Sequence, residues 1–447
     1  MFAIERTAHD ATSQSRFILW VVCAIAGLGF AFDTYEITVL SVVVRPALIA
    51  FGIKVGSAEF NRWVGLLFYV PLAVGGVLGL LGGLLTDRLG RRRVLVWSIW
   101  IYGVASVGAA YASSPFELLV WRALALSGAT IEFVAGVAWV AELFSEPKQR
   151  ELALGYTQAC SALGGFLVTA AYYVAVTHGP ELPTIANTHD AWRYTLLFGV
   201  APAIPLMVVR PFLPESPAWT QQKAQGRLQR PRLAVLFHSD LLKATCVTTL
   251  LTACSYAIAF GVTQQAALMV PGLSQVQNLT AMRREQTVSA VTLFINFGNL
   301  AGRVLFSLLV VRISQQRRLL RIFLLPALIV TPLVYGLADR LDLATWKLGI
   351  LIATTLQTAQ FSFWGNYLPR LYPTHLRGTG ESFATNIGGR LLGTSAVFAT
   401  TQLAAVLPGT VSAQLASAAA IVAVLVYAAA ILGTRWLPEP RQGRLPE

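Results

Sequence analysis

Apolar residues fall in long blocks separated by short polar breaks, each block near the roughly 20 residues a helix needs to cross a bilayer. Twelve blocks can be marked, over about 17–44, 63–86, 93–112, 116–143, 153–177, 193–213, 241–271, 286–311, 319–337, 345–369, 380–407 and 411–436. The pattern predicts an all-α membrane protein with twelve transmembrane helices. The first block is too long for a signal-peptide core and has no convincing cleavage site, so it is expected to persist as the first helix. Small residues such as Gly75, Gly76, Gly79, Gly82 and Gly83 let neighbouring helices approach closely in the second block.

Charges inside the blocks are the first departure from this pattern. Asp33 and Glu36 interrupt the first block and share a helical face; Arg122 and Glu132 do the same in the fourth. A charge at the centre of a spanning helix costs about 2.5–3.5 kcal/mol, so such residues are expected to face a cavity or one another. Buried cations also occur in the later blocks. Arg303 follows Asn299 by four residues, on one face, and Arg390 follows Asn386. Gln264, Gln265, Tyr256, Trp364 and Asn366 either line a cavity or settle helix packing.

Basic residues between blocks set orientation. Arg88, Arg91, Arg92 and Arg93 follow the second block, Lys148 and Arg150 the fourth, and Arg312, Arg317, Arg318 and Arg321 the eighth. With alternating spans these lie on one side, which places both termini in the cytoplasm. The longest polar segment, 214–240, then divides the chain into an N-terminal six-helix bundle (1–213), a cytoplasmic linker (214–240) and a C-terminal six-helix bundle (241–447). An echo supports the division: Gly83 to Arg93 closes the second block, and Ser307 to Arg318 closes the eighth in degraded form.

Composition agrees. Of 447 residues 55% are hydrophobic and only 12% charged, against roughly 25% charged in soluble domains. The net charge of +13 sits in short loops and reads as orientation, not as a nucleic-acid surface. All four cysteines, Cys23, Cys160, Cys246 and Cys254, fall in blocks with no metal-ligand spacing. No cofactor or metal is expected, and the polar segments hold no nucleophile or phosphate loop that would suggest an enzyme.

The sequence Gly83-x-x-x-Asp87-Arg88-x-Gly90-Arg91-Arg92 resembles the cytoplasmic signature loop of the major facilitator superfamily, and Pro214-Glu215-Ser216-Pro217 resembles the superfamily's usual ending after span six. The resemblance implies a major facilitator fold and a gating role for Asp87, Arg88 and Arg91, with Glu142 at the same boundary. Asp33-Thr34-Tyr35-Glu36 is similar to the Asp-Gly-aromatic-Asp of organic-acid proton symporters, the sialate, lactate and aromatic-acid groups, with Thr34 for Gly and Glu36 for Asp. Arg122 to Glu142 resembles their fourth span. Asn299-x-x-x-Arg303 resembles the substrate face of monocarboxylate transporters, and Asn386-Ile-Gly-Gly389-Arg390 resembles the Asn-x-Gly-Arg of span eleven in the organic-acid symporters, with one extra residue. That extra residue turns Arg390 by about 100° on a helix, so it lines the cavity or points at a neighbour.

These resemblances imply proton-coupled symport of a small organic anion across the cell membrane, by alternating access in a monomer. The implied proton-coupling residues are Asp33, Glu36, Glu132 and Arg122, and Asp33 is the more central carrier. The implied substrate-binding residues are Arg303, Asn299, Arg390, Asn386, Tyr35, Gln264 and Trp364. A guanidinium fork suits a carboxylate better than a neutral sugar. The alternatives are a proton symporter for sugars or polyols and a transport-dead membrane sensor.

Overall fold

The computed structural model describes residues 21, 23–143, 147–201, 203–213, 215–225, 233–372 and 376–439. Among these there is no β-strand, and twelve helical elements follow one another. They are α1 (Cys23–Thr38 and Leu40–Ala50), α2 (Ala58–Leu89), α3 (Arg91–Ala110), α4 (Pro115–Leu143), α5 (Pro147–His178) and α6 (Ala191–Phe198 with Ala203–Val209). The second set is α7 (Ser239–Gly261, continued by short turns to Gly272), α8 (Ala281–Val310), α9 (Gln316–Gly336), α10 (Leu343–Leu371), α11 (Arg377–Phe383 through Ala396–Val406) and α12 (Val411–Gly433).

Among the described residues nine helices are long and apolar enough to span, or ten when the two parts of α1, bent by 43°, count as one. The other two, α10 and α11, are diluted by Thr, Gln, Asn and Gly. They are still helical, as a span inside a bundle requires.

Sequence signals set several helix starts. Ser57, Thr280, Asp342 and Thr410 each accept a hydrogen bond from the backbone N–H three residues on, at 3.0, 3.3, 2.9 and 3.3 Å. Such caps satisfy donors the helix cannot pair internally. The closest helix pairs are α3 with α4, α2 with α4, α8 with α10, α9 with α12 and α7 with α11. Each joins helices of the same six, so the protein is two six-helix bundles. The bundles meet along α2 with α11, α5 with α8, and the end of α7 with α1.

Candidate functional site

Three carboxylates from the N-terminal bundle lie within its interior, at 4% (Asp33), 1% (Glu36) and 1% (Glu132) exposure. They differ in their partners. Glu36 accepts from the Arg122 guanidinium, which also donates to the Glu36 carbonyl, and from Ser106 Oγ at 2.8 Å. Arg122 is fully buried. Glu132 accepts from Arg210 Nη2 at 2.6 Å. Gly29 makes room for that pair on α1: a Cβ there would meet Arg210 Nη2 at 2.5 Å and Glu132 Oε1 at 2.7 Å. Neither oxygen of Asp33 has a hydrogen-bond partner. Each pair offsets the desolvation of its own charges, whereas Asp33 is left to its surroundings.

The charges acting on Asp33 are Glu132, Arg210, Arg390 and Glu36. Arg390 alone comes from the opposite bundle. It lies in a π-helical stretch, Ala384–Leu392. A π turn bonds i to i+5 and so holds one residue more than an α turn. Arg390 is buried there, and its Nη1 donates to Asn386 Oδ1 at 2.9 Å. Asn386 in turn donates to Ser382 Oγ at 3.1 Å. The Tyr256 hydroxyl interacts with Arg390, and its ring stacks on Phe260 (centroids 5.9 Å apart) and meets Phe361 edge-on (5.0 Å).

The remaining expected residues are distributed as follows. Asn299 Oδ1 accepts from Thr358 Oγ1 of α10 at 2.6 Å, and Arg303 is half-buried one turn further along α8. The Trp364 indole donates to Ser255 Oγ at 2.8 Å, between α10 and α7. Tyr35 donates to the Thr195 carbonyl of α6 at 2.5 Å. Gln264 lies where α7 breaks into short turns, with its side-chain oxygen buried and without a hydrogen-bond partner. Tyr35 and Trp364 thus meet helices of their own bundle.

At the end of the bundles that carries the arginine-rich loops, Arg91 Nη2 pairs with Glu142 Oε1 at 2.8 Å. Glu215 accepts from the backbone N–H of Arg91 at 2.9 Å and of Arg92 at 3.2 Å. Gly90 makes this turn possible, since its φ is +97° and a Cβ would meet Glu215 Oε2 at 2.5 Å. Arg88 is exposed, and the side chain of Asp87 lies outside the described residues.

Sequence reasoning missed the seam at the opposite end. Glu285 of α8 pairs with Arg45 of α1 at 3.0 Å and accepts from the Tyr172 hydroxyl of α5 at 2.7 Å. Gln286 donates to Thr177 at 3.2 Å. Deeper in, Asn296 donates to Thr169 Oγ1 at 2.9 Å and packs against Gly165, beside a Phe166–Phe297 edge contact. Arg210 was missed as well.

Comparison with known proteins places these contacts in context. The family model of the Major Facilitator Superfamily matches residues 19–397. A probable 4-methylmuconolactone transporter of Cupriavidus pinatubonensis is 27% identical over 92% of this chain and 89% of its own length. The sialic acid transporter NanX of Escherichia coli is 21% identical over 81% and 82%. Among solved structures, the inward open conformation of the xylose transporter XylE from E. coli superposes with a TM-score of 0.72 at 19% identity, covering 96% of this chain and 98% of that one.

Proposed function

The chain belongs to the major facilitator superfamily, a family of membrane transporters, and from that premise we propose that it is a proton-coupled symporter of a small organic anion. The observation that carries this reading is Asp33, a buried carboxylate without a hydrogen-bond partner, in the field of Arg390 from the opposite bundle. An anion that takes Arg390 withdraws the counter-charge from Asp33, so the empty site has reason to accept a proton with the anion. The coupling is reciprocal, because each ligand favours the other by the same factor. With both bound, neither Asp33 nor Arg390 opposes closure as an uncompensated charge. One proton with one monoanion makes the cycle electroneutral.

Glu36 is paired with Arg122 and Glu132 with Arg210, and Asp33, which has no hydrogen-bond partner, is the group we assign to carry the proton. Arg303, one turn from Asn299, provides a second guanidinium on α8. The seam from Asn296 to Glu285, with Arg45 and Tyr172 on Glu285 and Thr169 on Asn296, supports a state closed at that end. We assign the closed end to the outside of the cell membrane, and the arginine-rich loops, both termini and the linker 214–240 to the cytoplasm. Arg91, Glu142 and Glu215 then form the inner gate, together with Arg88 and Asp87.

The test is uptake of labelled monocarboxylates into liposomes with and without an inward proton gradient. Transport that proceeds but ignores the gradient would falsify the coupling. Likeness to a xylose transporter's fold favours, as a second reading, a sugar or polyol as the cargo. Replacing Arg390 or Arg303 by Gln separates the two. Loss of carboxylate binding supports the anion, while sugar binding that survives both changes supports the sugar.

A further inference from the structure

A cavity of about 960 Å³ lies away from the bundle interface, at the N-terminal end of α9, between that helix and the chain after α12. Its rim carries Arg317, Arg318 and Arg321, and its wall carries Ile322, Leu325 and Pro326. Among the described residues the one carboxylate lining it, Glu439, already accepts from the backbone N–H groups of Gln316 at 3.0 Å and Arg317 at 2.9 Å. Three guanidiniums therefore face one carboxylate that is already engaged in capping α9. Two of the arginines are held in place: Arg317 Nε donates to the Leu437 carbonyl at 2.6 Å and Arg321 Nε to Thr434 Oγ1 at 2.7 Å.

The face of α9 beyond the rim changes character. Arg318, Ile322, Leu325 and Ile329 follow at helical spacing on one side. Leu325 is 50% and Ile329 62% exposed. From Arg318 to Ile329 the helix rises about 16 Å, near half the roughly 30 Å hydrocarbon core. A basic pocket at the membrane boundary continuing into an exposed apolar track matches an amphiphile with an anionic head, whereas a free phosphate ion has no use for the track.

We propose that this cavity is a binding site for an anionic phospholipid, with the phosphate among Arg317, Arg318 and Arg321 and an acyl chain along Ile322, Leu325 and Ile329. The proposal goes beyond the transport reading and does not depend on it. The experiment is native mass spectrometry of the detergent-purified protein titrated with phosphatidylglycerol, phosphatidylcholine or inorganic phosphate. Phosphatidylglycerol is expected to be retained in preference to phosphatidylcholine, and millimolar phosphate is expected not to displace it. Arg318→Gln and Arg321→Gln should each weaken retention about fivefold, following the usual effect of one basic residue near an anionic surface. Arg435→Gln, at the same end but outside the cavity, should leave it unchanged. Leu325→Gln should weaken retention of the lipid and not of phosphate. Equal retention of both lipids, displacement by phosphate alone, or equal effects of Arg435→Gln and Arg318→Gln would each overturn the proposal. Unfolding temperatures in lipid-free detergent identify any variant whose loss reflects misfolding.

Discussion

The two bundles share a scaffold device and differ in what they bury. Leu213-Pro214-Glu215 follows α6 and Leu437-Pro438-Glu439 follows α12. In each bundle the glutamate caps the helix that follows the arginine-rich loop, Glu215 on α3 and Glu439 on α9. An arginine of the capped helix reaches back to the leucine carbonyl in both, Arg92 to Leu213 at 3.3 Å and Arg317 to Leu437 at 2.6 Å. The interiors are unlike. The N-terminal bundle buries three acids, Asp33, Glu36 and Glu132, and four arginines, Arg91, Arg122, Arg193 and Arg210, whereas among the described residues of the C-terminal bundle Arg390 is the one buried charge and Arg303 is half-buried. Repetition marks what holds the fold together, and asymmetry marks where chemistry can differ between the bundles.

Four changes would break or sharpen this contrast. Asp33→Asn removes the titratable group and should abolish accumulation driven by a proton gradient while leaving substrate exchange intact, measured by uptake and counterflow in liposomes. Arg210→Gln leaves Glu132 buried without its partner. The expected loss is about 3–5 kcal/mol of stability, read from unfolding in detergent, and Glu132→Leu combined with Arg210→Met should recover most of it. Arg390→Gln removes a charged donor; at about 1.5–3 kcal/mol for such a bond, carboxylate affinity should fall roughly tenfold to a hundredfold in a binding assay. Glu285→Gln weakens a partly exposed pair worth about 1 kcal/mol at most. It should shift the population modestly toward opening at that end, visible as longer spin-label distances between α1 and α8.

Much of the fold was legible because a bilayer imposes a length and a polarity that twelve blocks display openly. The acids at 33, 36 and 132 and the arginine at 122 were legible for the same reason: a charge within an apolar block stands out. Arg210, Arg45 and Glu285 were not, because they sit at block edges, where a paired residue and an orientation signal look alike. Pairing was the harder part. Spacing put Asp33 and Glu36 on one face, but only the fold shows that Ser106 and Arg122 engage Glu36 and leave Asp33 alone. The extra residue before Arg390 was visible in the sequence, whereas the π-helical backbone around it was not.

The seam between α5 and α8 has the geometry of a lever for any rocking of one bundle against the other. Its inner contact, Gly165 against Asn296, lies eleven residues from Glu285, an arm of about 17 Å. A rotation of about 10° around that fulcrum displaces the far end by roughly 3 Å, comparable to a hydrogen-bond length. Tyr172 and Arg45 would thus lose Glu285 while Asn296 had scarcely moved, and such a rotation would open this end from the rim inward.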